Sequence, residues 1–478
     1  MTEDRKEVYN YKKRIMASYG SRELASQWIF AAFGFSVFFF YESVIQLPTL
    51  LAALAFVIYS IWNAINDPLI GWVLEKIHMP WEKKGFKRFP WLVIAIIPWL
   101  ISYLLIYLVP SQWYGSPAIV QQNQWLIFGW YVGTLCFYDT MVTIYDTNVL
   151  AIYPEKFRTL GERRTTQGFG TLLGIIGLVL AAVPPMFFVG EETLVASGYV
   201  ANAWFSVGFG VILWLFTVPG IFEDKRVRNL RLKRKELGEI QELEPFIKST
   251  LTVVKDKNFM LKMIHFFGYQ VGAVMTQTSA YYVVTYILLN QTSITILLLS
   301  MLVGSLISVP IWTYVAHKVN DNRRVGIIAC TVLFVTFIPL MIVGDVIGWI
   351  ISLVLFGVGI GANWYIDPPL MGDVLDDVSV RTGKTQYTIY YGFQAFFIKF
   401  GQTFIAITIA LSHVLTGFDP ANPIQTGYAL FGIRVHTAIV PAILMLITLL
   451  IFWKWYDITP EKVTENKMKL KELGLERQ

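Results

Sequence analysis

Carboxylate and carboxamide side chains cluster in an otherwise apolar stretch, Ile61-Trp-Asn-Ala-Ile-Asn-Asp-Pro68. Asn63 and Asp67 are four residues apart, so on a helix they share one face, with Asn66 a short rotation away. Pro68 removes a backbone donor and loosens the helix beside the carboxylate. A carboxylate in apolar surroundings can exchange a proton near neutral pH, or bind Na⁺ if neighbouring oxygens complete a shell. The alternative is that Asp67 only satisfies backbone groups at a kink.

Four further charges lie deep in apolar blocks, where each costs roughly 2.5–3.5 kcal/mol to insert into a membrane. Asp139 and Asp146 are seven residues apart and share a helix face, and Lys399 is too deep to reach water easily. An ammonium there needs a carboxylate, and Asp67 and Asp139 are the obvious partners. Such a pair either couples ion binding to conformation or is a static contact. The remaining charge, Asp367, precedes two prolines, where we expect its helix to break.

The elements that carry these residues are membrane helices. Of the 478 residues, 55% are apolar and 15% charged, against about 25% charged residues in soluble proteins, which excludes an ordinary soluble enzyme. Apolar blocks of about 20–25 residues match a hydrocarbon core of roughly 30 Å. We predict twelve membrane-spanning helices, at 24–46, 49–76, 89–109, 124–152, 166–189, 198–222, 259–289, 292–316, 325–344, 346–371, 386–413 and 429–453.

The distribution of basic residues fixes the orientation of the predicted helices. All but two of the 39 Lys and Arg residues fall in the terminal segments and in alternate loops, as expected for the cytoplasmic side. The exceptions are Lys399 and Arg434. We therefore predict two six-helix bundles with both termini cytoplasmic: N-terminus 1–23, first bundle 24–222, linker 223–258, second bundle 259–453 and tail 454–478, the tail being a loose amphipathic helix. Two halves of six helices suggest an internal repeat.

Other classes of protein find little support in the sequence. The net charge of +6 is explained by topology and does not indicate a nucleic acid partner. Two cysteines inside apolar blocks form neither a disulfide framework nor a metal cluster. The motifs HExxH, GxSxG and CxxC do not occur and the five histidines are scattered, so an intramembrane enzyme is only a remote alternative. We expect no removable signal peptide, no enzymatic activity and no cofactor.

Two segments resemble a known family. The first, Trp62-Asn-Ala-Ile-Asn-Asp-Pro-Leu-Ile-Gly-Trp72, resembles the helix 2 signature of the glycoside–pentoside–hexuronide:cation symporters, the melibiose-permease branch of the major facilitator superfamily. The second resembles that family's helix 10 to helix 11 stretch and comprises Gly372-Asp-Val-Leu-Asp-Asp, Thr382-Gly-Lys, Tyr390-Tyr and Lys399-Phe-Gly-Gln402. Phe137-Tyr-Asp139 is a weaker match. The resemblance implies the twelve-helix fold of that superfamily.

The resemblance also implies roles for individual residues. Asp67 matches the acidic position essential for cation coupling, with Asn66 and Asn63 beside it. Sodium-using members tend to have a second carboxylate at the position of Asn63 and a threonine at that of Cys136. Losing a charge and a hard oxygen weakens a Na⁺ shell, so we favour H⁺ over Na⁺ as the coupling ion and expect no other metal.

On the substrate side, the resemblance assigns Asp139 to the sugar site or its rim and Lys399 to a polar link between sugar and cation. Trp364 matches a sugar-stacking indole and Gln394 another sugar-side position. Asp146 is a possible secondary site residue. So are Ser26 and Gln27, because the resemblance places the acid that binds galactoside hydroxyls in the melibiose permease at one of these two positions, and their identity argues against a melibiose-like substrate.

These observations predict a multi-pass carrier in the plasma membrane. We expect a monomer that moves a sugar or glycoside together with H⁺ or Na⁺ by alternating access. The nearest alternative keeps the fold and changes the cargo to a lysophospholipid or another amphiphile, since eukaryotic relatives of the family carry lysophospholipids and the helices are rich in Phe.

Overall fold

The computed structural model describes residues 11–77, 79–157, 160–190, 192–236, 254–290, 292–383 and 387–472, and all its regular elements are helices. The first half contains α1 (Lys13–Phe39), α2 (Thr49–Lys76), α3 (Phe89–Tyr107), α4 (Pro117–Lys156), α5 (Leu160–Ala181), α6 (Pro184–Phe188), α7 (Ala196–Ile221) and α8 (Lys225–Glu236). The second contains α9 (Lys257–Tyr282), α10 (Ile294–Val319), α11 (Asn322–Ile342), α12 (Val346–Thr382), α13 (Tyr387–Thr416), α14 (Gly427–Arg434), α15 (Val440–Trp455) and α16 (Pro460–Glu472).

Each of the twelve predicted membrane spans coincides with a described helix or with consecutive helices. The fifth span is α5 followed by α6, and the twelfth is α14 continued by α15. Ten spans in the described part of the chain are long and apolar enough to cross a membrane by composition alone. The other two, α4 and α9, hold polar and charged residues discussed below. The prediction of an all-α membrane protein is therefore confirmed.

One predicted helix break is wrong. Helix α12 continues without interruption through Pro368 and Pro369, immediately after Asp367. A proline inside a membrane helix is tolerated when neighbouring groups satisfy the carbonyls that it frees. Asp367 therefore lies within a continuous helix and needs another explanation.

The chain divides into two compact units. The first comprises Met1–Leu47 and Val57–Glu242, and the second comprises Pro48–Phe56 and Leu243–Gln478. The first turns of α2 are thus grouped with the second unit. The five-part division predicted from the sequence stays a prediction, and residues 237–253 of the expected linker lie outside the described residues.

Small residues bring helices into close contact within each unit. In the first unit α1 packs against α5 and α7, and a Cβ atom on Gly220 would collide with the backbone of Tyr19. In the second unit α10 packs along α12, and a Cβ atom on Gly357 would collide with the carbonyl oxygen of Met301. Close backbone approach of this kind gives membrane helices their van der Waals contact, because lipid provides no hydrophobic driving force between them.

The first helix of each unit ends in the same irregular turn. Helix α1 is followed by a π-helical turn at Phe40–Val44 and α9 by one at Val283–Ile287. In the first unit Ile45 N–H donates to Phe40 O, and in the second Leu288 N–H donates to Val283 O. This matched geometry supports the predicted internal repeat.

The first of these turns contains a buried acid. The side chain of Glu42 is fully buried in the turn Phe40–Val44. The stacked rings of Tyr41 and Tyr131, with centroids 3.5 Å apart, lie in the same region.

A buried carboxylate forms several contacts between helices at the inner end of the first unit. Glu223, fully buried, accepts hydrogen bonds from the backbone N–H groups of Lys87, Arg88 and Phe89 at the start of α3. Arg231 on α8 lies 2.7 Å from Glu223 and also pairs with Glu155 at the end of α4. Burial disfavours the charged form of Arg231 and by itself lowers its pKa. The carboxylates of Glu223 and Glu155 stabilise the charged form more strongly, so the pKa of Arg231 is raised.

A second contact at this end joins α4 to α7. Helix α4 has 40 residues and therefore extends beyond the bilayer. The ammonium of Lys156, its last residue, donates to Pro219 O (3.1 Å) and Phe222 O (2.9 Å) at the end of α7. Burial lowers the pKa of Lys156 to about 8, although Asp224 and Glu223 act in the opposite direction.

The tail of the second unit is more ordered than predicted. Helix α16 packs against α12, with Leu470 and Asn466 buried. The carboxylate of Asp377 on α12 accepts a hydrogen bond from Asn466 (3.3 Å) and lies 3.4 Å from the ammonium of Lys462. The expectation of a loose helix is wrong for this segment because a buried carboxylate on α12 holds it.

Candidate functional site

The polar residues of α2 and α4 form one cluster inside the first unit. Asn63 and Asn66 both donate their amide N–H groups to the carboxylate of Asp139, the second over 3.1 Å. Thr143 donates its hydroxyl to Asp67 Oδ1 over 2.7 Å. Asn63, Asn66 and Asp139 are at most 3% exposed. The structure thus joins the three predicted cation-site residues with the predicted sugar-site residue Asp139.

Helical spacing explains why these side chains meet. Asn63, Asn66 and Asp67 lie at i, i+3 and i+4 on α2, and Asp139, Thr140 and Thr143 lie at i, i+1 and i+4 on α4. Each set occupies one face of its helix, so two facing helices bring both sets together.

A continuous path of hydrogen bonds connects the two carboxylates. Asn66 Nδ2 donates to Asp139 Oδ2 and also to Thr143 Oγ1 (3.2 Å), and Thr143 in turn donates to Asp67. The hydroxyl of Thr140 donates to Cys136 O over 2.8 Å, lies 3.3 Å from Asn66 Oδ1 and accepts from the indole of Trp62 (3.2 Å). The two amides therefore present N–H groups, rather than oxygens, to Asp139.

The threonines change one expectation about the site. The sequence suggested that a hard oxygen is lost at Cys136, but Thr140 and Thr143 supply hydroxyl oxygens one and two turns further along α4, respectively. A cation at Asp67 would have these oxygens within the same cluster. In the described part of the chain, no group of three or more His, Cys, Asp or Glu residues is arranged to hold a metal ion.

The secondary candidates of the first unit lie on α1 and α4. Asp146 interacts electrostatically with Arg22, which pairs with Glu23 over 2.5 Å. Ser26 has a buried hydroxyl oxygen without a hydrogen-bond partner, and Gln27 is exposed. Asp146 therefore has a cationic neighbour on α1, which the sequence did not predict.

The remaining predicted substrate residues belong to the second unit. Trp364 lies on α12 and Gln394 and Lys399 on α13, and all three are half-buried. The Oε1 atom of Gln394 is buried without a hydrogen-bond partner. The expected pairing of Lys399 with Asp67 or Asp139 would join the two units and stays a prediction.

A second polar cluster, not predicted, lies between α9 and α12. Lys262, near the start of the predicted span 259–289, is fully buried, and its ammonium lies 3.1 Å from Asp367 Oδ1 and 3.2 Å from Oδ2. The Tyr269 hydroxyl is also close enough to hydrogen-bond to Asp367. Asp367 is thus the counter-charge of Lys262. The sequence signal that could have indicated this cluster is the spacing of Lys262, His265 and Tyr269 along one helix face.

The comparisons with known proteins agree with this architecture. A family model described as MFS/sugar transport protein matches residues 18–460. The sodium-dependent lysophosphatidylcholine symporter 1 of Gallus gallus is 24% identical, over 92% of this chain and 86% of its own. The glucuronide carrier protein homolog of Escherichia coli (strain K12) is 20% identical, over 95% and 94% of the two chains.

A solved structure has the same fold. The crystal structure of a D-xylose-proton symporter superimposes with a TM-score of 0.60 at 15% identity, covering 92% of this chain and 97% of the other. The predicted twelve-helix major facilitator fold and the predicted family resemblance are confirmed. The chain therefore belongs to the MFS/sugar transport family and is a multi-pass secondary transporter of the major facilitator superfamily.

Proposed function

We propose that this protein is a cation-coupled symporter in which the cluster of Asp67, Asn66, Thr143 and Asp139 binds the coupling ion, a proton in preference to Na⁺. The observation that carries the proposal is the path of hydrogen bonds inside the first unit between the buried carboxylate of Asp139 and the half-buried carboxylate of Asp67. Neutral hydrogen-bond donors compensate the charge of a carboxylate in the membrane only in part. Such a carboxylate can therefore take up and release a proton. Protonation changes the stability of the conformation around it, which is what coupling requires.

The orientation of the two amides favours the proton over Na⁺ as the coupling ion. Asn63 and Asn66 turn their N–H groups toward Asp139. Na⁺ needs oxygens on all sides, and amide N–H groups repel it. The hydroxyl oxygens of Thr143 and Thr140 offset this repulsion only in part.

The substrate that we propose is a sugar or glycoside. The buried Oε1 of Gln394 needs a donor, and a sugar hydroxyl supplies one. The half-buried indole of Trp364 offers a face for stacking. The family description and the E. coli relative named a glucuronide carrier homolog support this substrate class. We further propose that the protein acts as a monomer in the plasma membrane and without a cofactor.

The second candidate substrate is a lysophospholipid. It is favoured by the vertebrate relatives, which are named sodium-dependent lysophosphatidylcholine symporters and match along most of the chain. This candidate also predicts coupling to Na⁺.

Uptake into proteoliposomes tests the coupling ion. With a radiolabelled panel of hexoses, pentoses and hexuronides, an inwardly directed proton gradient should drive accumulation of the substrate, up to about tenfold per pH unit for one proton per substrate. Asp67→Asn should abolish accumulation and retain exchange of labelled for unlabelled substrate. Asp419→Asn, the same change in an exposed loop, should accumulate like the parent.

Two results would contradict this proposal. Accumulation by Asp67→Asn equal to that of the parent removes the coupling role of Asp67. Accumulation driven by Na⁺ at fixed pH, and blocked by lysophosphatidylcholine rather than by any sugar, favours the lipid candidate.

A further inference from the structure

An arginine lies in the outer part of the second unit, beside the last turn of α11. Arg434 is the last residue of α14, and in the sequence it is the single Lys or Arg residue between Lys399 and Lys454. Basic residues of membrane proteins concentrate in the cytoplasmic loops, so topology does not explain this charge. Arg434 also lies outside the proposed ion cluster and the proposed substrate residues.

One hydrogen bond holds the guanidinium of Arg434. Its Nη1 atom donates to Met341 O over 2.9 Å. Met341 lies in the last turn of α11, where carbonyl groups have no partner within the helix. A guanidinium has five N–H donors, and a neutral carbonyl does not balance its charge. The residue is half-buried, so its remaining donors are open to whatever surrounds the helices.

The described part of the chain supplies no carboxylate as an ion-pair partner of Arg434. The acidic residues in the neighbouring outer loops bind backbone groups. Asp345 accepts from the N–H of Gly348 over 2.8 Å at the start of α12, and Asp419 accepts from the N–H of Ala421 over 3.0 Å. The counter-charge of Arg434 therefore comes from outside the chain.

The depth of Arg434 indicates the source of that counter-charge. Helix α14 begins at Gly427, and seven residues at 1.5 Å each place Arg434 about 10 Å further into the membrane. Its contact with the last turn of α11 keeps the guanidinium near the end of that helix. With both termini on the cytoplasmic side, this end lies in the outer leaflet. A long arginine side chain reaches the headgroup region from such a depth.

The surface around the guanidinium is apolar and exposed. Tyr428 and Phe431 on α14 lie nearer the outer surface, with nearly parallel rings whose centroids are 6.4 Å apart. Aromatic side chains are enriched at this level of the membrane. Deeper in the membrane, one face of α11 presents a stripe of exposed apolar side chains, Val335, Ile338 and Ile342. A cation above an apolar stripe matches the phosphate and the acyl chains of a phospholipid.

We propose that Arg434 anchors a bound phospholipid of the outer leaflet. The phosphate oxygens accept from the guanidinium N–H groups that Met341 does not use, and an acyl chain lies along the exposed stripe of α11. The planar fork of arginine suits this role because it can donate to two phosphate oxygens at once. Arg434 directly precedes the turn Val435–Ile439, which packs against α11. The bound lipid therefore lies at a junction between two helices, as a structural lipid rather than as cargo.

Photocrosslinking of the full chain in nanodiscs tests the site. The nanodiscs consist of digalactosyldiacylglycerol, which has no phosphate, with a small fraction of phosphatidylglycerol that carries a photoreactive group near the glycerol end of one acyl chain. Peptides covering 331–345 and 424–441 should be labelled saturably, and excess unlabelled phosphatidylglycerol should compete. Arg434→Gln should lower the affinity, and hence the labelling at low occupancy, by about 10- to 100-fold, as expected for the loss of charge-assisted hydrogen bonds.

Three controls accompany this measurement. A peptide covering 451–459, at the inner end of α15, reports the inner leaflet in the same digest and should be labelled equally in the parent and in Arg434→Gln. Lys467→Gln removes a positive charge from an exposed position of α16 and should be labelled like the parent. Asp67→Asn should also be labelled like the parent, because the lipid site does not depend on the proposed transport function.

The result that overturns the proposal is equal labelling of 424–441 in the parent and in Arg434→Gln. If Arg434→Gln does not fold, the parent alone decides the question. Labelling that rises linearly with the probe fraction, or that unlabelled phosphatidylglycerol does not reduce, then overturns the site. Arg434→Lys gives a second comparison: it keeps the charge but loses the planar fork, so its labelling should lie between those of the parent and Arg434→Gln, and labelling equal to the parent's contradicts the role of the fork.

Discussion

Replacing Asp367 by asparagine should leave the ammonium of Lys262 buried without its counter-charge. The ammonium lies 3.1 Å and 3.2 Å from the two carboxylate oxygens, and the Lys262 side chain is fully buried. Removing one partner of a buried ion pair costs about 3–5 kcal/mol, because desolvation of the remaining charge is no longer compensated. The asparagine keeps the size of the side chain, so the loss reports charge rather than packing.

The assay is thermal unfolding of purified protein in detergent, followed by size-exclusion fluorescence. One kcal/mol shifts Tm by about 2–4 °C for a domain of 150–250 residues, the size of the second unit, so Asp367→Asn should lower Tm by roughly 6–20 °C. The matched control is Asp457→Asn. Its partner Lys257 is 2.8 Å away, but the two side chains are 50% and 59% exposed, so this pair contributes about 0–1 kcal/mol.

A double variant separates charge from other effects. Changing Lys262 to Met in the Asp367→Asn protein removes the remaining charge and should recover most of the lost stability. Equal Tm values for Asp367→Asn and Asp457→Asn would refute the reasoning. So would a double variant no more stable than Asp367→Asn alone.

Three further predictions follow from the ends and contacts of the helices. Glu223→Gln should lower Tm, but less than Asp367→Asn, because it removes the buried counter-charge of Arg231 and weakens the cap of α3 while Arg231 is partly exposed and keeps its second partner Glu155; an unchanged Tm would contradict this role. Gly357→Ala should reduce the yield of folded protein because its Cβ has no room, whereas Gly208→Ala, with nothing within 4 Å, should not; equal yields would argue against the close packing of α10 and α12. The pKa of Lys156 is lowered to about 8, so between that pH and about 10.5 the unfolded chain holds more protons and stability should rise with pH, by up to about 3 kcal/mol relative to Lys156→Met; parallel pH curves for the two proteins would exclude this.

The fold was largely predictable because the bilayer imposes strong rules on sequence. A spanning helix needs about 20 apolar residues, and basic residues stay in the cytoplasmic loops. These rules fixed twelve helices and their direction from composition alone. They failed at Asp367, where a proline pair suggested a break, because neighbouring groups can satisfy the carbonyls that proline frees.

The candidate site was predictable in part. The spacing of Asn63, Asn66 and Asp67 follows from helix geometry, so one face of α2 was evident. Which residues of α4 meet that face depends on helix rotation, which no local pattern specifies. The role of Thr143, whose hydroxyl donates to Asp67, was therefore not predicted.

The sequence by itself determined the membrane as the solvent, the number and polarity of the helices, and the presence of charges too costly to be incidental. Only the tertiary structure decided which charges compensate one another: Lys262 with Asp367, and Arg231 with Glu223. The physical reason is the separation along the chain over which each interaction acts. Hydrophobicity and helix periodicity act on neighbouring residues, whereas an ion pair is set by a few ångströms between side chains that are far apart in the chain.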